Sequence, residues 1–340
     1  MKHIITVGFE QLLIILLTLI VMSCGVSGDR LKIEGRFLQL NQGEFYVYSN
    51  DGLVTGIDTI KIRGGRFVYD IPCEQEGILM IVFPNFSEQP IFAKPGESID
   101  IKADASRLRE MEVTGTKENE LMTEFRELIV HASPPEIVKH AAHFITEHPQ
   151  SIVSKYLLRK YFLASPTPNF KQGLQLVRLM RQQLPDDNEL TTWQKTMESL
   201  ANTSVGSILP KFSATTVKGE KVSDKQLREA PVAVIHAWAT DHYVSMDMQR
   251  IIRTKLKSSG GRLKALSICL DPSKKMAMQT IERDSIGWAN ICDEMMFDGK
   301  LAKQLAIYSL PQTLLIKKGK IVKKNVSREK LEEEIDQLLR

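Results

Sequence analysis

Residues 231–248, PVAVIHAWATDHYVSMDM, limit the folds open to this chain more than any other stretch. Val232, Val234, Ile235, Ala237 and Trp238 make a short, nearly continuous apolar run, the pattern of a strand covered on both faces in a parallel sheet. Residues 239–243 turn, and over residues 245–256 Met248, Ile251, Ile252 and Leu256 recur on one side of a helix. A buried strand leading straight into a helix delivers the residues of the turn to the helix start. Here that turn carries Asp241, His242, Tyr243 and Ser245 and no thiol.

The stretch resembles the active-site segment of the thioredoxin superfamily, in particular its membrane-anchored TlpA-like branch, where a strand ends in Trp-Ala-Ser-Trp-Cys-Gly-Pro-Cys. Trp238, Ala239 and Thr240 match the lead-in and Asp241 takes the second tryptophan. His242-Tyr243-Val244-Ser245 stands at the Cys-Gly-Pro-Cys position. In the family the first sulfur is activated by the helix N-terminus and the second resolves the mixed disulfide, a two-electron shuttle that imidazole and hydroxyl cannot replace. The resemblance runs over residues 206–340: 208–223 resemble the family's opening hairpin, 263–271 its second core strand, 276–286 the next helix and 288–293 a further strand. These strands and helices alternate as in a parallel-cored α/β sheet. Residues 305–322 match the segment that holds the family's cis-proline, here Pro311, followed by a strand and a Lys-Gly hairpin. Ser327 is expected to cap a terminal helix.

In the family the backbone before that proline binds extended peptides, so the resemblance places Leu310 and Pro311 beside His242. Trp238 and Tyr243 would then offer flat apolar surface to bound side chains. A groove that outlives the chemistry and a proline kept only to shape a strand start both fit.

Over residues 31–115 the pattern alternates and is rich in turns, which predicts a small antiparallel β-sandwich. Ile60-Lys61-Ile62-Arg63 and Arg66-Phe67-Val68-Tyr69 flank Gly64-Gly65, a hairpin signal. Asp58-Thr59 and Lys94-Pro95-Gly96-Glu97 resemble a domain of unknown function that precedes thioredoxin-like domains in many Gram-negative envelope lipoproteins. That likeness implies an architecture and no activity. Residues 116–205 change to helical period, broken by Pro134-Pro135, Pro149, Pro166, Pro168 and Pro185, as in stacked helical hairpins. His131, His140, His143 and His148 lie here, but no acidic or cysteine ligand is spaced to close a metal site, so neither metal nor cofactor is expected.

Residues 1–23 read as a signal peptide: a weakly basic start at Lys2, then an apolar core over residues 12–22, too short for a confident membrane span. Val21-Met22-Ser23-Cys24 resembles the lipobox of bacterial lipoproteins, which implies lipidation of Cys24, a tether over residues 24–30 and a location on the cell envelope facing the periplasm. A plain secretory signal or an uncleaved anchor is the alternative. Of the four cysteines, Cys73, Cys269 and Cys292 then remain, with no short-range pairing. An oxidising envelope would permit a bridge between two of them.

The 340 residues suffice for two or three cores, and a net charge of +4 with no long basic run argues against a nucleic-acid partner. Asp241, His242 and Ser245 are hydrolase-triad residue types, but neighbours on one turn do not converge on both ring nitrogens. Cys269 and Cys292, which the resemblance puts on neighbouring strands, could form a displaced redox pair, or could be buried small hydrophobes. The sequence thus predicts a multidomain lipoprotein with a β-sandwich, a helical middle and a thioredoxin-like unit. That unit, inactive in CxxC exchange, would bind an extended polypeptide or an envelope protein. Thiol–disulfide exchange and a structural spacer are the alternatives.

Overall fold

The computed structural model describes residues 28–165 and 168–340. They fall into two compact units, one ending at Ala164 and the other beginning at Ser165. That boundary lies inside the stretch read as one helical region, because its first helices pack on the preceding strands and its later ones belong to the second unit. The expected signal peptide, tether and lipidated Cys24 fall mostly or wholly outside the described residues.

The first unit has eight strands: β1 (Arg30–Leu38), β2 (Gln42–Ser49), β3 (Ile57–Arg63), β4 (Arg66–Pro72), β5 (Gly77–Val82), β6 (Glu88–Ala93), β7 (Ser98–Asp104) and β8 (Glu112–Thr114). The expectation of an antiparallel sandwich is corrected here. The strands form one hydrogen-bonded sheet in the order β6-β5-β2-β3-β4-β1-β7-β8, and β1 pairs in parallel with β7. A period of two puts the same residues inward whether the neighbour is parallel or antiparallel, so the sequence pattern does not tell them apart. The Gly64-Gly65 hairpin forms as read, both glycines at positive φ, and a Cβ on Gly65 would stand 2.8 Å from the Phe37 carbonyl. Inward residues of all eight strands share one core, in which Phe45 packs edge-on to Phe37 and Phe83 with centroids 4.9 Å apart.

Helix α1 (Lys117–Ile129) covers both edges of this sheet. The Asn119 amide accepts from Phe92 N (3.0 Å) and donates to Phe92 O (2.8 Å) on edge strand β6. Four residues on, Thr123 Oγ1 accepts from Val113 N and donates to Val113 O on the opposite edge, β8, both at 2.9 Å. The buried Arg126 donates to Gln89 Oε1 near the first edge and to Met111 O near the second. One helix face thus supplies the partners that edge strands lack, which protects them from pairing with other chains. Helices α2 (Pro134–Glu147) and α3 (Ile152–Leu158), with a π-helical turn at Arg159–Leu163, complete the unit.

The second unit opens with the hairpin of α4 (Phe170–Gln183) and α5 (Asn188–Asn202), joined by Arg178–Glu198 at 2.9 Å. The short pair β9 (Ser213–Thr215) and β10 (Lys221–Ser223) leads through α6 (Asp224–Arg228) into β11 (Val232–Trp238). Then follow α7 (Tyr243–Ser258), β12 (Leu263–Cys269), α8 (Lys274–Arg283), β13 (Ala289–Ile291), α9 (Lys300–Gln304), β14 (Gln312–Lys317), β15 (Lys320–Lys324) and α10 (Arg328–Leu339). The sheet order is β13-β12-β11-β14-β15, parallel from β13 to β11 and antiparallel beyond. Every residue of β11 is buried, as its apolar run requires. Ser327 stands at the N-cap position of α10, but its side chain makes no capping hydrogen bond. Among the described residues no helix is long and apolar enough to cross a membrane.

Candidate functional site

Strand β11 ends between two neighbours: Ala237 pairs with Gln312 at the start of β14, and Trp238 pairs with Cys269 at the end of β12. Helix α7 therefore starts at the same end of the sheet at which Leu310-Pro311 enters β14. That peptide bond is cis. Gln312 fixes the loop before it, accepting from Tyr308 N (3.1 Å) and donating to Ala306 O (2.7 Å). Leu310 and Pro311 are half-buried.

The turn is locked from within. The Asp271 carboxylate accepts the Thr240 N–H at 3.0 and 3.2 Å. His242 is the N-cap residue of α7, its Nδ1 accepting from Ser245 N at 3.2 Å. That bond occupies the Nδ1 lone pair and leaves Nε2 to carry the ring proton. Ser245 is fully buried; its hydroxyl donates to His242 O (2.8 Å) and accepts from Ala239 N (3.3 Å). Tyr243 and Val244 in the first turn of α7 are 73% and 40% exposed.

Trp238 requires a correction. It is wholly buried and its indole N–H finds no acceptor, so it is core beneath the turn and offers no surface to a ligand. An aromatic at a strand end suits either place, and only the neighbouring strands decide. Sequence reasoning missed His236. It is wholly buried in β11, and its Nε2 donates to Ser245 O at 2.8 Å, tying the strand to the helix start. Its Nδ1 faces the Gln312 backbone without a well-formed hydrogen bond. Burial pushes the imidazole down to about 4, so the ring is neutral at physiological pH. Its signal was its place as the one titratable side chain in the strand.

Among the described residues no three His, Cys, Asp or Glu side chains gather as a metal site would need. His143 instead meets Glu147 on its own helix at 3.4 Å.

The sheet order and the helix beginning directly beyond the central strand decide the fold. The C-terminal unit contains a thioredoxin-like domain. Residues 31–122 of the other unit match the family described as "Domain of unknown function (DUF4369)". Structural neighbours are thiol-disulfide oxidoreductases and thioredoxin-like proteins of Bacteroides. One is the C-terminal domain of a protein described as a thiol-disulfide oxidoreductase from Bacteroides thetaiotaomicron: 30% identity, 41% of this chain and 98% of that one, TM-score 0.37. Another, a thiol-disulfide oxidoreductase from Bacteroides fragilis, is 26% identical over 38% of this chain and 98% of its own, TM-score 0.35. A thioredoxin-like protein from Bacteroides caccae extends over 63% of this chain and 87% of its own at 18% identity and TM-score 0.43. No curated protein matches.

Proposed function

We propose that the thioredoxin-like domain binds extended polypeptide across His242, Tyr243, Leu310 and Pro311 and performs no disulfide exchange through its helix start. The observation that carries this reading is the exposure of Tyr243 and Val244 on a turn otherwise fixed by buried hydrogen bonds. A rigid aromatic surface loses little entropy on binding, and the His242 Nε2–H is a donor for a main-chain carbonyl. Ser245, at the position of the family's resolving sulfur, is buried and already bonded twice, which suits a structural role.

The test is a titration of the full chain with a permanently unfolded, alkylated polypeptide. Because His242 caps α7, alanine there would also cost about 1 kcal/mol of stability. Asparagine keeps a cap and removes the ring. His242→Asn with Tyr243→Ala removes two contacts worth about 1 kcal/mol each, so binding weakens by roughly tenfold or more while the melting temperature stays. Equal affinity in both proteins would remove the reading.

We also propose that a lipid on Cys24 holds the chain to a membrane surface, on the likeness of Ser23-Cys24 and its apolar leader to a lipobox. Cys24→Ala should move the protein from the detergent phase to the aqueous phase; unchanged partitioning would place the anchor elsewhere. Thiol–disulfide exchange, the second reading, rests on a different pair of residues, Cys269 and Cys292.

A further inference from the structure

Cys269 is the last residue of β12 and Cys292 directly follows β13. These strands run parallel with Ile268 opposite Ile291, so the next step of the ladder sets Cys269 opposite Cys292. Parallel neighbours lie about 4.8 Å apart, inside the range of Cα separations that a disulfide spans. Both side chains enter the same buried cluster, and both are free thiols.

Their surroundings differ in a way that divides the work. Cys269 is almost wholly buried and its Sγ lies 3.0 Å from the Asp271 carboxylate. Its hydrogen bond with Cys292, burial and Asp271 all push that thiol up. Cys292 forms part of the wall of an open cleft of about 610 Å³ whose charged lining is three lysines, Lys211, Lys274 and Lys300, and one carboxylate, Asp293. Its Sγ lies 3.7 Å from the Asp271 carbonyl, and its thiol is pulled down, first by its interaction with Cys269 and also by the Glu294 backbone, against burial and the charges of Asp271 and Glu294. A thiol at the wall of a cleft, 7% exposed, in front of one that is 1% exposed is the arrangement of an attacking and a resolving cysteine.

We propose that Cys292 and Cys269 are a dithiol pair that exchanges with disulfides bearing negative charge, through the lysine-lined cleft and not through the helix start. Cys292 gives up its proton to solvent, and its thiolate attacks one sulfur of the substrate disulfide, forming a mixed disulfide and releasing the other half as a thiolate that takes a proton back from solvent. Asp271 takes the proton of Cys269, whose sulfur then attacks the Cys292 sulfur and expels the second thiolate. The chain is oxidised by two electrons to a Cys269–Cys292 disulfide, and the substrate leaves as two thiols carrying the two protons. The proposal is independent of peptide binding, which uses no cysteine.

The experiment treats the reduced full chain with oxidised glutathione and maps its disulfides by mass spectrometry without reduction. The wild type should yield a peptide pair linked through Cys269 and Cys292, with Cys73 left free. Cys269→Ser should retain glutathione on Cys292, and Cys292→Ser should retain none. Replacing Lys211, Lys274 and Lys300 by glutamine should slow reaction with oxidised glutathione about tenfold relative to uncharged bis(2-hydroxyethyl) disulfide. His242→Asn with Tyr243→Ala should react at the wild-type rate, which separates failure here from failure of the peptide-binding reading. The proposal is overturned by glutathione settling first on Cys269, by equal slowing for both disulfides, or by linkage only after denaturation. The wild-type map decides the pairing even if a serine variant does not fold.

Discussion

His236 shows how one residue ties the fold to the site. Its ring must stay neutral to remain in β11 while donating to Ser245 O, and its burial pushes it from the usual histidine range down to about 4. In the unfolded chain it takes a proton near pH 6.5. Its contribution is therefore intact above pH 6.5 and is lost progressively as pH falls toward 4, by about 3 kcal/mol at the limit. Urea denaturation of the second unit at stepped pH should show that loss, and His236→Gln, which keeps an amide donor near the Nε2 position, should flatten it. A pH profile unaltered by the substitution would assign the acid sensitivity to other groups. The sequence pattern passed over the residue because a histidine in an apolar run reads as an interruption, although it is the one titratable side chain of the strand. Histidine is not among the usual capping residues, so the helix was expected from residue 245 and begins at Tyr243.

At the scale of elements, the strand–turn–helix at 232–258 was legible because a strand buried on both faces needs a continuous apolar run. The Gly64-Gly65 hairpin was legible because both residues must adopt positive φ. The edge-sealing face of α1 was not. Asn119, Thr123 and Arg126 are spaced like any polar helix face, and only the curled sheet brings β6 and β8 beneath them. Asn119→Ala would leave the Phe92 N–H and C=O of a buried edge unpaired, a loss of roughly 2–4 kcal/mol in the first unit by denaturant titration. A loss below about 1 kcal/mol would show that the edge finds other partners.

For the whole molecule, the sequence placed a β-rich unit before a thioredoxin-like one, but it could not place the boundary at 164/165. Helical period records that a face is buried and not which neighbour buries it. The site divided similarly. Leu310, Pro311, His242 and Tyr243 were legible by likeness and lie at one end of the sheet, whereas the meeting of Cys269, Cys292 and Asp271 needed the strand register. The polypeptide-binding role proposed for the turn at the start of α7 is open to a direct test. The most direct measurement is an amide chemical-shift map of the labelled full chain during titration with alkylated, unfolded polypeptide. Saturable shifts should concentrate at residues 241–246 and 308–313. Shifts confined to residues 31–122 or to the α4–α5 hairpin, or none at saturating polypeptide, would contradict this.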